Sequence, residues 1–207
     1  MTITQRVKEQ VIQVAAQHGF IYETRKGHFY RKISDVFCDS LFVQYFPDKS
    51  KRDKVEIEVD IGVHIHRMYE LICNLNEQPI ENTNRFPQIR TNLSRLTGER
   101  YITYSINDDI EQFKERLDIL FEKCFEPCYQ DMHSWENIQK LILTRIYPYT
   151  IVSAMYYFNG KKKKGLKYAM KCLNSKGEYR EPWDYAFVEN FAKLPPYTGD
   201  FNIDMMK

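Results

Sequence analysis

With 207 residues, 43% of them apolar, the chain is long enough to bury a good-sized core without disulfide or metal staples. Thirty Lys and Arg against twenty-eight Asp and Glu leave a formal net charge of +2, which argues against a global field directed at nucleic acid or an anionic membrane. Five scattered cysteines, an odd number, argue equally against a secreted disulfide framework and are read as reduced thiols.

Residues 1–14 contain Arg6, Lys8 and Glu9 and no unbroken apolar run, so no signal peptide is expected. No later segment approaches a membrane span, and the expectation is a cytoplasmic protein. Val7, Val11, Val14 and Ala15 recur at helical spacing, with Ile12 alongside, and predict an amphipathic helix over 4–18 that Gly19 stops. Residues 20–22 and 28–33 flank Thr24-Arg25-Lys26-Gly27, whose glycine accepts positive φ, and predict a hairpin. Residues 36–46 make a third strand with Phe37, Leu41, Val43 and Tyr45 on one face. The fourth strand, 54–66, carries the strongest pattern in the chain. Val55, Ile57, Val59, Ile61, Val63 and Ile65 alternate with Lys54, Glu56, Glu58, Asp60, Gly62, His64 and His66, so one face buries branched aliphatics and the other stays polar.

Further on, 67–75 reads as a short helix and 76–87 as loop. Residues 101–106 read as a fifth strand. Asn107 caps a long helix with Asp108 and Asp109 at its positive end, carrying Ile110, Phe113, Leu117, Leu120, Phe121 and Cys124 inward. Pro127 ends or kinks it. From Ser134 the pattern is helical throughout: 135–146, 149–158, 163–173 and 182–194, separated by Pro148, Asn159-Gly160 and Ser175-Lys176-Gly177. The pair 154–159 and 165–172, with small Ala154, Gly165 and Ala169 among aromatics, resembles one helical hairpin of a tetratricopeptide repeat, though one unit is not an array. The expected fold is therefore α+β. An antiparallel sheet of about five strands packs against N-terminal and central helices within 1–133, and a helical segment fills 134–207.

The helix ending in His18-Gly19-Phe20, the strands Gly27-His28-Phe29-Tyr30-Arg31 and Leu41-Phe42-Val43-Gln44-Tyr45, the strand closing on Asp60-Ile61-Gly62-Val63, and the Asp108-Asp109 helix running into Glu126-Pro127-Cys128 follow a recognisable order. In that order the first two-thirds of the chain resembles a family of bacterial domains of unknown function, the one numbered four-three-zero-four. The resemblance implies the α+β fold and a bacterial setting; it brings no catalytic residues.

Among candidate sites, His64 and His66 with Glu58 and Asp60 behind them offer a His-x-His metal pattern, against which stands the absence of a third ligand at diagnostic spacing. Cys124 and Cys128, one turn apart and followed by His133, offer soft ligands, but Cys124 lies on the apolar stripe and reads as core. No metal and no cofactor are expected. Lys161, Lys162, Lys163 and Lys164, followed by Lys167 and Lys171 and interleaved with Tyr156, Tyr157, Phe158 and Tyr168, have the charge and rings that single-stranded nucleic acid requires; a solvated helix start is the simpler account. Glu56, Glu58 and Asp60 line one strand face and suit either solvent or a basic partner. Thirty aromatic residues, fifteen of them Tyr, fit a recognition surface or rings packed at element boundaries. With no Walker, nucleophile-elbow or zincin motif present, no catalytic residue is assigned. The leading expectation is a non-catalytic protein-binding module using Glu56, Glu58, Asp60, His64 and His66, in the manner of an immunity or accessory protein of a bacterial toxin or defence pair. The alternative is a nucleic-acid-associated protein using the lysine and tyrosine cluster. A metal-dependent enzyme at His64 and His66 stands third, and no membrane partner is expected.

Overall fold

The computed structural model describes residues 1–25, 27–35, 37–48, 53–80, 87–145, 147–175, 181–199 and 201. Lys26 of the first turn, Val36, most of the linker between the third and fourth strands, part of the 76–87 loop, Ile146, the Lys176-Gly177 break and the end of the tail lie outside these. The chain forms two compact units, Met1–Ile33 with Cys38–Val63 and Ile89–Met132, and Ser34–Phe37 with His64–Gln88 and His133–Lys207.

The first unit opens with α1 (Ile3–Gln17), started by a capping box in which the Thr2 hydroxyl accepts from the Gln5 N–H and Gln5 answers back to the Thr2 N–H. Gly19 follows at φ 80°, the left-handed turn that ends the helix. The sheet is β1 (Ile21–Glu23), β2 (His28–Lys32), β3 (Phe37–Pro47), β4 (Lys54–Ile65) and β5 (Ile89–Asn92) in that spatial order, with β6 (Ile102–Ser105) also on β4. β1 pairs with β2, β2 with β3, and β4 with both β5 and β6, in each case antiparallel. β4 is shared on one edge: residues 54–57 pair with β6 and 60–63 with β5. The short α3 (Leu93–Thr97) connects the two partners and ends at Gly98, φ 80°. β5 and α3 were hidden in a stretch too short and polar for either period to declare itself.

Val55, Ile57, Val59, Ile61 and Val63 are all buried, as their alternation requires. Val7, Val11 and Val14 of α1 and Phe113 and Leu117 of α4 (Ile110–Leu120) are buried as well; α1 packs on α4 and β1, and Tyr104, opposite Val55, meets Phe113 edge-on at 5.0 Å. The cap of α4 is Asp109, whose carboxylate accepts from Glu111 N–H at 2.9 Å, rather than Asn107; Asp108 instead closes the turn after β6 by accepting from Ser105 N–H at 2.7 Å. Beyond Leu120 the helix widens into a π-helical turn, Phe121–Phe125, and resumes as α5 (Glu126–Met132). Pro127 lacks the N–H an α-helical ladder needs, and the wide turn just ahead absorbs that loss without breaking the helix.

The second unit holds α2 (His66–Leu75), α6 (Trp135–Thr144), α7 (Tyr149–Phe158), α8 (Lys162–Ser175) and α9 (Pro182–Lys193). α7 is buried from Ile151 to Phe158 on every side, as befits its contacts with α2, α6 and α8. Gly165 of α8 permits the closest approach. A Cβ there would stand 2.7 Å from Phe191 Cζ and 2.9 Å from the Ser153 carbonyl oxygen. Asp184, 4% exposed, caps α9 by accepting from Glu181 N–H at 3.0 Å. Among the described residues no helix is long and apolar enough to cross a membrane.

Candidate partner-binding face

Because β4 alternates, burying its aliphatics turns Glu56, Glu58 and Asp60 together onto the opposite face, where each is half-buried. Neighbouring strands contribute Thr103 and Ser105 opposite Glu56 and Lys54, and Asn92 and Arg90 opposite Asp60 and Gly62. On β3, Leu41 and Val43 go to the core, which sends Phe42, Gln44 and Phe46 to this same outer face. Phe46 is 41% exposed and meets Tyr101 edge-on at 6.0 Å.

The three carboxylates are not equivalent. Lys54 Nζ lies 2.9 Å from Glu56 Oε1, an exposed pair worth little in water. Asp60 has its carboxyl pushed above the ordinary value, by burial first, with Arg90 pulling it down and Glu58 pushing it up. Glu58 falls where β4 pairs with neither β5 nor β6, and among the described residues no cation stands within ion-pair distance of it.

The histidines do not extend this row. β4 ends at Ile65 and His66 opens α2, so the alternation that was to aim both imidazoles outward stops between them. His64 is 1% exposed, its Nδ1 3.3 Å from Gln88 Nε2 and its ring 5.3 Å from Tyr69, and it presents nothing to a partner. His66, half-buried, pairs one turn along with Glu70 at 3.2 Å. No group of three or more His, Cys, Asp or Glu placed to hold a metal ion occurs among the described residues.

The lysine cluster divides by role. Lys162 Nζ donates to the Ala192 carbonyl at 2.8 Å and to that of Leu194, closing the C-terminal end of α9. Lys164 sits 4.5 Å above the Tyr156 ring and Lys171 4.6 Å above Tyr168, and the two rings stack at 5.3 Å. Tyr156 is 5% exposed, so the ring meant for base stacking is spent on packing. Lys161, Lys163 and Lys167 remain exposed.

Two constellations escaped the sequence. Arg31 donates twice to Glu126 (2.6 and 2.9 Å), through Nε and Nη2 to Asp39 Oδ2 (3.1 and 2.8 Å) and through Nη1 to the His18 carbonyl (3.0 Å), between the rings of Phe20 and Tyr129. Burial lowers its basicity, but the bonds and charges of Glu126 and Asp39 outweigh that and raise it. Tyr129, fully buried, donates to the Ser40 carbonyl at 2.8 Å, and its hydroxyl is held protonated well above the usual range by burial. Charged residues at inward positions of β2 and β3, Arg31 beside Phe29 and Asp39 beside Leu41, were the available signal. The second is a cleft of about 350 Å³ in the helical unit, where Trp135 Nε1–H donates to Asn159 Oδ1 at 3.0 Å and Asn159 Nδ2–H to Gln139 Oε1 at 2.9 Å under Phe158, Tyr197 and Phe201.

No protein-family model, curated protein or solved structure matches this chain.

Proposed function

We propose that this is a non-catalytic, cytoplasmic protein-binding module whose docking face is the outer face of β4, with Glu56, Glu58 and Asp60 receiving a basic partner. The observation that carries the reading is the pair Glu58 and Asp60. Among the described residues no cation stands within ion-pair distance of the first, and the second is charged at a cost, so a Lys or Arg arriving from outside relieves both. Exposed Phe46 beside Tyr101 adds an aromatic edge on which such a cation or its alkyl stem can lie. In an accessory or immunity protein of a bacterial toxin or defence pair, the role proposed for this module, such an acidic face would set association rate and partner choice through its charge.

The alternative, nucleic-acid binding through α8, rests on exposed Lys161, Lys163 and Lys167, and it lacks the stacking ring that Tyr156 was to supply. One experiment ranks the two. Titration of a labelled oligolysine peptide and a labelled single-stranded oligonucleotide should give salt-sensitive peptide binding that is lost on reversing Glu56, Glu58 and Asp60 to Lys and kept on reversing Lys161 to Lys164. Oligonucleotide binding lost on the lysine reversals, with no peptide bound, overturns the reading.

A further inference from the structure

Resting on that reading, the geometry points to the basic partner being a second copy of this chain, whose helix α8 lies along β4.

The outer side of α8 brings Lys163, Lys167 and Lys171 to successive turns, all three exposed, with Met170, 53% exposed, on the same side by the helical period. Residues four apart on a helix repeat about every 6 Å. Residues two apart on a strand repeat about every 6.6 Å. Three lysines over about 12 Å therefore oppose three carboxylates over about 13 Å, one to one. Lys171 is held in place over Tyr168 and so forfeits little side-chain freedom on pairing. Each surface also carries one exposed apolar group, Met170 on the helix and Phe46 on the sheet, a thioether and a ring that attract at contact.

The charge inventory favours such self-recognition. Thirty cations and twenty-eight anions nearly cancel over the chain, while three acids gather on the outer face of β4 and three exposed lysines on one side of α8. Two copies therefore meet with little long-range repulsion, and local attraction decides. Since the surfaces differ, the contact is heterologous and builds a ring or an open array rather than a two-fold dimer.

Analytical ultracentrifugation of the full chain tests this. Mass should rise with protein concentration at about 10 mM NaCl and collapse to monomer at about 1 M, where the screening length drops from about 30 Å to about 3 Å. The triple variants Glu56→Lys, Glu58→Lys, Asp60→Lys and Lys163→Glu, Lys167→Glu, Lys171→Glu should each stay monomeric, and an equimolar mixture of the two should associate again. If either triple variant fails to fold by circular dichroism, the milder Glu58→Gln and Lys167→Gln should each weaken association at least several-fold. A wild-type chain monomeric throughout at low salt, or association that survives both sets of changes, overturns the proposal. A monomeric chain that still binds oligolysine through Glu58 sinks self-assembly alone; one that binds no oligolysine sinks the docking face with it.

Discussion

Arg31 and Gly165 occupy comparable places in the two units. Each stands where several elements converge, one meeting β3, α5 and the end of α1 through charge, the other meeting α7 and α9 through the absence of a side chain. The helix and sheet unit is pinned by directed bonds around a guanidinium, the helical unit by rings and small residues filling volume. A directed network fails when one member is lost, because the others stay buried and charged. A packed crossing fails by degrees, because neighbours shift and relax.

The largest expected effect follows. Arg31→Met leaves Asp39, fully buried, and Glu126 without their cation, and should lower stability by about 3 to 5 kcal/mol in urea unfolding. Replacing all three by apolar residues of similar size should recover most of that loss. If the single and triple changes cost the same, the network stabilises by volume and the contrast with Gly165 disappears.

Gly165→Ala is next. Alanine gains about 1 kcal/mol of helix propensity over glycine, yet its methyl must displace the Phe191 ring and press on the Ser153 carbonyl. Overpacking of that kind costs about 1 to 3 kcal/mol, so a net loss of about 1 kcal/mol is expected, with local melting seen as faster amide exchange in α8. A stabilised variant would show that the helices part easily there.

These two sites also mark what the sequence could convey. The period of β4 and the α7 and α8 hairpin were legible because apolar spacing repeats over many residues, and burial follows the alternation of β4 from Lys54 to Ile61. Arg31 with Asp39 and Glu126 was not, since the partners lie 8 and 95 positions away and no local period links them. β5 and α3 escaped for lack of length, and His64 because the outer positions of β4 become buried from Gly62 onward, which alternation alone does not reveal. The acids of the outer face were legible as a row. That Glu58, among the described residues, has no cation within ion-pair distance goes with its place between the β5 and β6 pairings on β4, which only the pairing reveals.

Tyr129→Phe removes one buried hydroxyl and the hydrogen bond it donates to the Ser40 carbonyl, a loss of about 1 kcal/mol with the fold intact. A much greater loss would mean that Tyr129 orients Arg31 as well as covering it.

Asp60→Asn carries the smallest effect and the most telling sign. Burial raises the Asp60 carboxyl above its unfolded value, so the native state holds that proton more tightly than the unfolded chain does. Its contribution is then fully present below the unfolded pKa and is lost as pH rises through the folded one. Asparagine is never charged, so the variant should melt slightly above the wild type near neutral pH, and the two curves should converge in acid below about pH 4. The same variant should bind oligolysine more weakly, because the carboxylate that costs stability is the one that receives the cation. A lower melting temperature at neutral pH would mean that Arg90 already satisfies Asp60, and the outer face of β4 would then hold one unmatched carboxylate, Glu58, in place of a docking row.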